Sequence, residues 1–210
     1  MSSNPWSLVP AAEYESHMGP QGADQLAPLS AILGKALATL RPARLLVLGV
    51  ATGNGLEHVN PAVTSRVVGV DVNLQYLGLC RQRQMRLGSR LELYCAEAEK
   101  VLLDAGAFDL CYAGLFFEHA DPARLAGRIA SWLVPGGALL TVLQLPGAGG
   151  AAAVPSRHAS IQAVAERMHL VAPAALVKEL GKAKLALRRA YELPVAHGRR
   201  FHVALFQKPK

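Results

Sequence analysis

Five short apolar runs recur along the first two thirds of the chain: RLLVLGV (44–50), SRVVGVD (65–71), LELYCA (91–96), FDLCYAGL (108–115) and ALLTVLQL (138–145). Continuous branched and aliphatic runs of this length suit strands buried on both faces. Helical stretches fall between most of them. Residues 23–40 carry Leu29, Ile32, Leu33, Ala36, Leu37 and Leu40 at helical spacing and stop at Pro42. A short helix is expected after the glycines of 49–55, ending before Pro61. Asn73 is placed to cap a helix running to about Gly88, and Asp121 followed by Pro122 opens another to about Leu133; both are cap chemistry. A PGG turn at 135–137 precedes the fifth run. Strand and helix in alternation predict an α/β fold, a doubly wound, mostly parallel sheet covered on both faces.

The rhythm changes after residue 146. A Gly/Ala/Pro loop (146–155) leads to two helical stretches near 156–168 and 173–183. The runs LALRRAYEL (185–193) and RFHVALFQK (200–208), joined by a short loop, suit an antiparallel hairpin at the sheet edge, which brings the expected sheet to seven strands. Residues 1–22 read as irregular, punctuated by Pro5, Pro10, Gly19 and Pro20. The expected organisation is one domain over 1–210: a cap segment (1–40), a cofactor-binding core (41–146), a variable helical segment (147–184) and a hairpin (185–208).

At 51% apolar and 18% charged residues the chain is globular in character. No run approaches the roughly 20 apolar residues of a membrane span, and the N-terminal stretch has no apolar signal region. Cys80, Cys95 and Cys111 have no CxxC spacing, so buried thiols in a reducing cytoplasm are expected rather than disulfides or zinc. Asp and His are scattered, and no metal is expected. The net charge of +7 gathers in RQRQMR (81–86), GKAKLALRR (181–189) and HGRR (197–200). These read as solvated surface, because aromatics do not interleave with them as a single-strand groove requires.

The stretch LLVLGVATGNG (45–55) narrows the function. A strand running into Gly49, Gly53 and Gly55 brings backbone close to a ligand at the carboxyl end of a parallel sheet, where such folds bind cofactors. No Gly-Lys-Ser/Thr follows, which excludes a Walker loop, and the dinucleotide GxGxxG fails at Ala51 and Asn54 or at His58. Asp71 ends the second strand, where a carboxylate accepts from ribose hydroxyls. Ribose recognition without a pyrophosphate loop points to an adenosine cofactor lacking pyrophosphate.

On these residues the chain resembles the class I S-adenosylmethionine-dependent methyltransferases, whose fold is Rossmann-like. LLVLGVATGNG resembles the family's first motif with Ala51 at a small position, VVGVDVN the second, LYCAEAE the third, FDLCYAGLFFEHAD the fourth strand with its loop, and WLVPGGALLTVL the fifth. EYESHM and FFEHAD resemble a small, stand-alone bacterial type. The resemblance implies S-adenosyl-L-methionine as cofactor, held by Gly49, Ala51, Thr52, Gly53, Gly55, Asp71, Val72, Ala96, Glu97, Ala113 and Gly114, with Glu97 reaching the adenine amino group. Tyr14 and His17 are expected to close over it from the N-terminal segment. Many members carry an acid where this chain has Val47. Carbonyls near Gly49 and Gly114, or Glu57, are expected to meet the cofactor's ammonium instead.

Methyl transfer is an in-line displacement that positions nucleophile and methyl and employs a base for an O–H or N–H acceptor. Glu118 and His119, after the fourth strand, are the catalytic candidates. The expected reaction is O- or N-methylation of a small molecule. The alternatives are an RNA methyltransferase and a non-catalytic S-adenosylmethionine-binding module, the latter on account of Val47. The loop AGLFFEH lacks the (N/D)PP(Y/F) pattern of base amino methylation, which argues against nucleic acid. Segment 147–184 is expected to wall the acceptor or to form a homodimer contact.

Overall fold

The computed structural model describes residues 4–147 and 155–210. Seven strands form one sheet: β1 (Arg44–Leu48), β2 (Arg66–Asp71), β3 (Leu91–Cys95), β4 (Phe108–Gly114), β5 (Leu133–Gln144), β6 (Ala186–Val195) and β7 (Arg199–Gln207). Their order is β3-β2-β1-β4-β5-β7-β6. β1 pairs in parallel with β2 and β4, and only β7 runs antiparallel to its neighbours. The doubly wound, mostly parallel arrangement with a terminal antiparallel hairpin is the one the alternation predicts.

Alternate residues of each strand point to opposite faces, and each face has its own core. Leu46, Leu48, Val68, Val70 and Cys111 pack with Leu125, Ile129 and Trp132 of α4 (Pro122–Trp132) and Leu176 and Leu180 of α6 (Pro173–Lys182). Leu45, Val47, Val67 and Leu110 pack on the other face with Ile32, Leu33 and Leu37 of α2 (Leu26–Leu40) and Leu77 and Cys80 of α3 (Leu74–Arg83). Both predicted caps are present. Asp121 Oδ1 accepts from Ala123 N at 2.8 Å. Asn73 Oδ1 accepts from Gln75 N and Tyr76 N at 3.0 and 3.2 Å, while its Nδ2 donates to the carbonyls of Trp6 and Val9. One buried amide thus starts α3 and holds the N-terminal segment against the carboxyl end of the sheet.

Several expectations are corrected. Residues 5–8 form a 3-10 turn and 11–18 a helix, α1 (Ala11–Met18). The stretch AAEYESHM lacks an apolar period; Ala11 and Tyr14 pack with Tyr76, Ile161 and Val164, and polar ties add to this. Glu15 accepts from Thr52 Oγ1 at 2.8 Å and pairs with Arg83, while Glu13 accepts from Ser160 of α5 (Ala159–Ala165). The helix after the glycines is one 3-10 turn, Leu56–His58. The Arg86 guanidinium donates to the Leu56 and Val59 carbonyls at 2.6 and 2.8 Å, taking acceptors that a longer helix needs. α3 stops at Arg83, before a 3-10 stretch (Met85–Arg90) in which Gly88 has φ +55°. β5 begins at Leu133 rather than 138, because Leu133 already pairs with Phe108 across an irregular step. Cys80 and Cys111 are buried, but Cys95 is exposed on the edge strand β3. The Gly/Ala/Pro loop lies mostly outside the described residues. Among the described residues no helix is long and apolar enough to cross a membrane.

Candidate functional site

A cavity of about 490 Å³ opens at the carboxyl ends of β1, β2 and β4. Of the residues expected to hold a cofactor, Gly49, Ala51, Asp71, Val72, Ala96, Glu97, Gly114, Tyr14 and His17 line it; Thr52, Gly53, Gly55 and Ala113 do not. Glu118 and His119 line it as well.

The glycines answer to different neighbours. Gly49 has φ +67°, and a Cβ there would lie 3.1 Å from the Phe116 ring at the cavity wall. Gly53 and Gly55 have φ +90° and +88°, and their Cβ atoms would lie 2.9 Å from Cys80 Sγ and Leu33 Cδ2. They let α3 and α2 close on the loop and do not face the ligand. Gly53→Ala combines a left-handed Ala, about 1–2 kcal/mol, with overpacking of about 1–3 kcal/mol. Urea unfolding is expected to show a loss of about 2–4 kcal/mol; a loss below about 1 kcal/mol contradicts this packing role.

The loop's N–H groups turn inward. Gly49 N and Val50 N donate to the Val70 carbonyl, Ala51 N to Asp71 Oδ2, Gly53 N to the Val50 carbonyl and Gly55 N to Glu57 Oε2. No helix N-terminus gathers there, contrary to the expectation from the strand–glycine–helix reading, and the loop is poorly equipped for a pyrophosphate. Glu57 bonds to Gly55 N and Ser30 Oγ and is absent from the cavity wall, so it does not serve the ammonium. Val47 is buried in the α2-side core.

Asp71 accepts from Ala51 N and Asn73 N, both at 2.9 Å. Burial pushes its carboxyl up, and these backbone bonds oppose the shift. A carboxylate has about four lone-pair sites, which leaves acceptor capacity toward the cavity. Glu97, bonded to Lys100 Nζ at 2.6 Å, stands at the β3 end of the same wall. A ribose acceptor, a close glycine approach and an acid beyond them fit an adenosyl group.

The two catalytic candidates separate clearly. Glu118 is 2% exposed; its Oε1 accepts from Gln144 N at 2.6 Å, its carbonyl accepts from His169 N, and its buried Oε2 has no partner among the described residues. Burial pushes its carboxyl up to about 7. His119 has its ring edge-on to Trp6 at 5.0 Å, and no described residue hydrogen-bonds its ring nitrogens. Burial, with His169 nearby, pushes it down to about 4. His119 is therefore a neutral imidazole open to the cavity, whereas Glu118 ties the β4 loop to the end of β5. Gln144, at the end of β5, also lines the cavity and accepts from Gln25 Nε2 at 2.6 Å.

The Glu118 shift has a testable sign. Its folded-state value lies above the unfolded one, so its contribution to stability is complete below about 4.5 and is lost as pH rises through about 7. Glu118→Gln removes that loss. Urea unfolding at pH 4 and pH 8 is expected to show the variant gaining on the parent by on the order of 3 kcal/mol; an unchanged difference contradicts the shift.

Sequence reasoning passed over Trp6, Tyr76, Phe116, Ile161, Val164 and Met168, which complete the wall. Trp6 arrives through the Asn73 tie to a segment read as irregular, and Tyr76 sits on the buried side of α3, where it reads as ordinary core. Among the described residues no group of three or more His, Cys, Asp or Glu is placed to hold a metal.

Comparison with known proteins agrees with this geometry. Residues 46–141, a little under half of the chain, match the family model Methyltransf_11, described as a methyltransferase domain. No curated protein sequence matches the chain. N-methyltransferase NodS from Bradyrhizobium japonicum WM9, solved with S-adenosyl-L-homocysteine, is similar at 17% identity and TM-score 0.71 over 99% of this chain and 97% of NodS. Geranyl diphosphate C-methyltransferase from Streptomyces coelicolor A3(2) is similar at 14% identity and TM-score 0.69, over 92% and 84% of the two chains. The [4+2]-cyclase SpnF is similar at 16% identity and TM-score 0.69, over 87% and 80%.

Proposed function

We propose that this chain, which carries a class I S-adenosylmethionine-dependent methyltransferase domain, methylates oxygen or nitrogen of a small-molecule acceptor, with His119 as the catalytic residue that receives the acceptor's proton. S-Adenosylmethionine supplies a methyl group made electrophilic by a positively charged sulfur. Asp71 binds the ribose, Gly49 and Gly114 give close approach along the cofactor's tail, and Glu97 faces the adenine. Glu118 is a positioning residue: it fixes the loop on which His119 stands. The N-terminal cap and the helical segment after β5 wall the acceptor side, with the whole chain acting as one domain.

The observation that carries this reading is a single cavity whose wall carries both Asp71 and a neutral imidazole with no hydrogen-bond partner among the described residues. The small-molecule acceptor is supported by the fate of the basic clusters. Arg83 is paired with Glu15, Arg86 with backbone carbonyls, Lys182 with Glu179 and Arg200 with Glu192, so much of the positive charge is engaged internally. NodS and the geranyl diphosphate enzyme, by their descriptions, are an N- and a C-methyltransferase, the latter of a small molecule.

The test is transfer of an isotopically labelled methyl group from S-adenosylmethionine to a panel of small alcohols, phenols and amines, with RNA as a parallel acceptor. Label in a small-molecule product is expected. Label in RNA alone, or cofactor binding with no transfer to any acceptor, overturns the reading in favour of an RNA enzyme or a non-catalytic module.

A further inference from the structure

The cavity is unusually rich in rings for this chain. Only 6% of the residues are aromatic, yet Trp6, Tyr14, Tyr76 and Phe116 all line this one space, joined by the imidazole of His119. Trp6 meets Tyr14 at 6.1 Å and 80° and His119 at 5.0 Å and 86°, both edge-to-face. Ile161, Val164 and Met168 continue the wall with apolar surface. Aromatic and apolar walls of this kind suit a flat ring, which meets such neighbours through offset or edge-on contacts.

The cavity's charged side chains are mostly paired, and burial pushes two of its carboxyls, Asp71 and Glu118, up toward their neutral form. The cavity's ion pairs, Glu97 with Lys100 and Glu99 with Arg124, stand on the β3 side and at the rim. The buried polar groups of the wall are Gln25 and Gln144, bonded to each other, and Glu118, 2% exposed, whose Oε1 accepts from Gln144 N and whose Oε2 has no partner among the described residues; buried Asn73 holds the Trp6 carbonyl. Arg167 is exposed. A buried ammonium or carboxylate without a partner is strongly disfavoured. The imidazole of His119 and the hydroxyl of Tyr14 have no hydrogen-bond partner among the described residues, so a neutral donor entering the cavity meets a ready acceptor.

We propose that the acceptor is an uncharged aromatic molecule bearing a hydroxyl, its ring against Trp6 and Phe116 and its hydroxyl donating to a ring nitrogen of His119. This rests on the methyltransferase reading above and narrows it to a substrate class. Burial acts in the same direction on the titratable groups of the wall: it pushes His119 and His17 down and Tyr14 up, each toward its neutral form.

The experiment uses the full chain and three probes of matched size: p-cresol, benzylamine and benzoate. S-Adenosylhomocysteine is titrated first by calorimetry, and each probe is then titrated into the loaded protein at pH 7.5. The expected result is p-cresol binding at least about tenfold tighter than either charged probe. Trp6→Ala is expected to weaken p-cresol by about tenfold or more, and Trp6→Phe, which keeps a ring, to restore most of it. Tighter or equal binding of benzylamine reveals an amine site, and of benzoate an acid site; either overturns the proposal. So does failure of all three probes with a protein that binds S-adenosylhomocysteine. Failure to bind S-adenosylhomocysteine itself overturns the methyltransferase reading, and this inference with it.

Discussion

Asp71→Ala is expected to weaken S-adenosylhomocysteine binding by roughly 10²–10⁴-fold. The carboxylate ends β2 and lines the cavity, held by Ala51 N and Asn73 N. Two ribose hydroxyls donating to it contribute about 1.5–3 kcal/mol each, as bonds to a charged group do, and each 1.4 kcal/mol is tenfold in affinity. The substitution also strips Ala51 N and Asn73 N of their acceptor, loosening the glycine loop and the entry to α3. Asp71→Asn keeps an oxygen for only one of these two donors, which meet different carboxylate oxygens, and loses the charge, so it should fall between parent and Ala variant. Calorimetry reads the affinities, and circular dichroism confirms that the variants are folded. A folded Asp71→Ala protein binding within about threefold of the parent contradicts the ribose role.

His119→Ala is expected to lower kcat by about 10²–10⁴-fold, the usual contribution of a positioned base, and to leave cofactor affinity near that of the parent. The pH profile separates a base from a wall residue. The His119 imidazole is pushed down to about 4 and is active when neutral. Its proton-accepting form is lost only as pH falls through that value, so kcat should show no acid limb near 6.5, where an ordinary histidine titrates. Glu118→Gln, by contrast, keeps an oxygen for Gln144 N and should retain much of the turnover. A His119→Ala enzyme with unchanged kcat, or a Glu118→Gln enzyme as inactive as it, contradicts the division of roles.

The parts legible in the sequence were those set by local rules. β1, β2 and β4 lie between two cores, so their runs are continuously apolar. Asn73 and Asp121 announce their helices because capping is a contact over two or three residues. That Asp71 would line the cavity was legible because ligands of a parallel sheet gather at the carboxyl ends of its strands. What escaped was set by distant partners. α1 buries only Ala11 and Met18, and its partners are distant: Thr52, Arg83 and Ser160 through polar ties, Tyr76, Ile161 and Val164 through apolar packing. Gly53 and Gly55 carry the same local signal as Gly49, yet Cys80 and Leu33 decide that they serve packing. Glu118 and His119 are adjacent in sequence, and only the bond from Gln144 N distinguishes a sealed carboxyl from an open imidazole.

Calorimetric titration of the full chain with S-adenosylhomocysteine tests the central claim most directly. The account predicts a single saturable site with a Kd in roughly the micromolar range. A protein that is folded by circular dichroism and gives no binding heat across that range contradicts it, and marks Val47, with no acid at the end of β1, as the place where cofactor binding was lost.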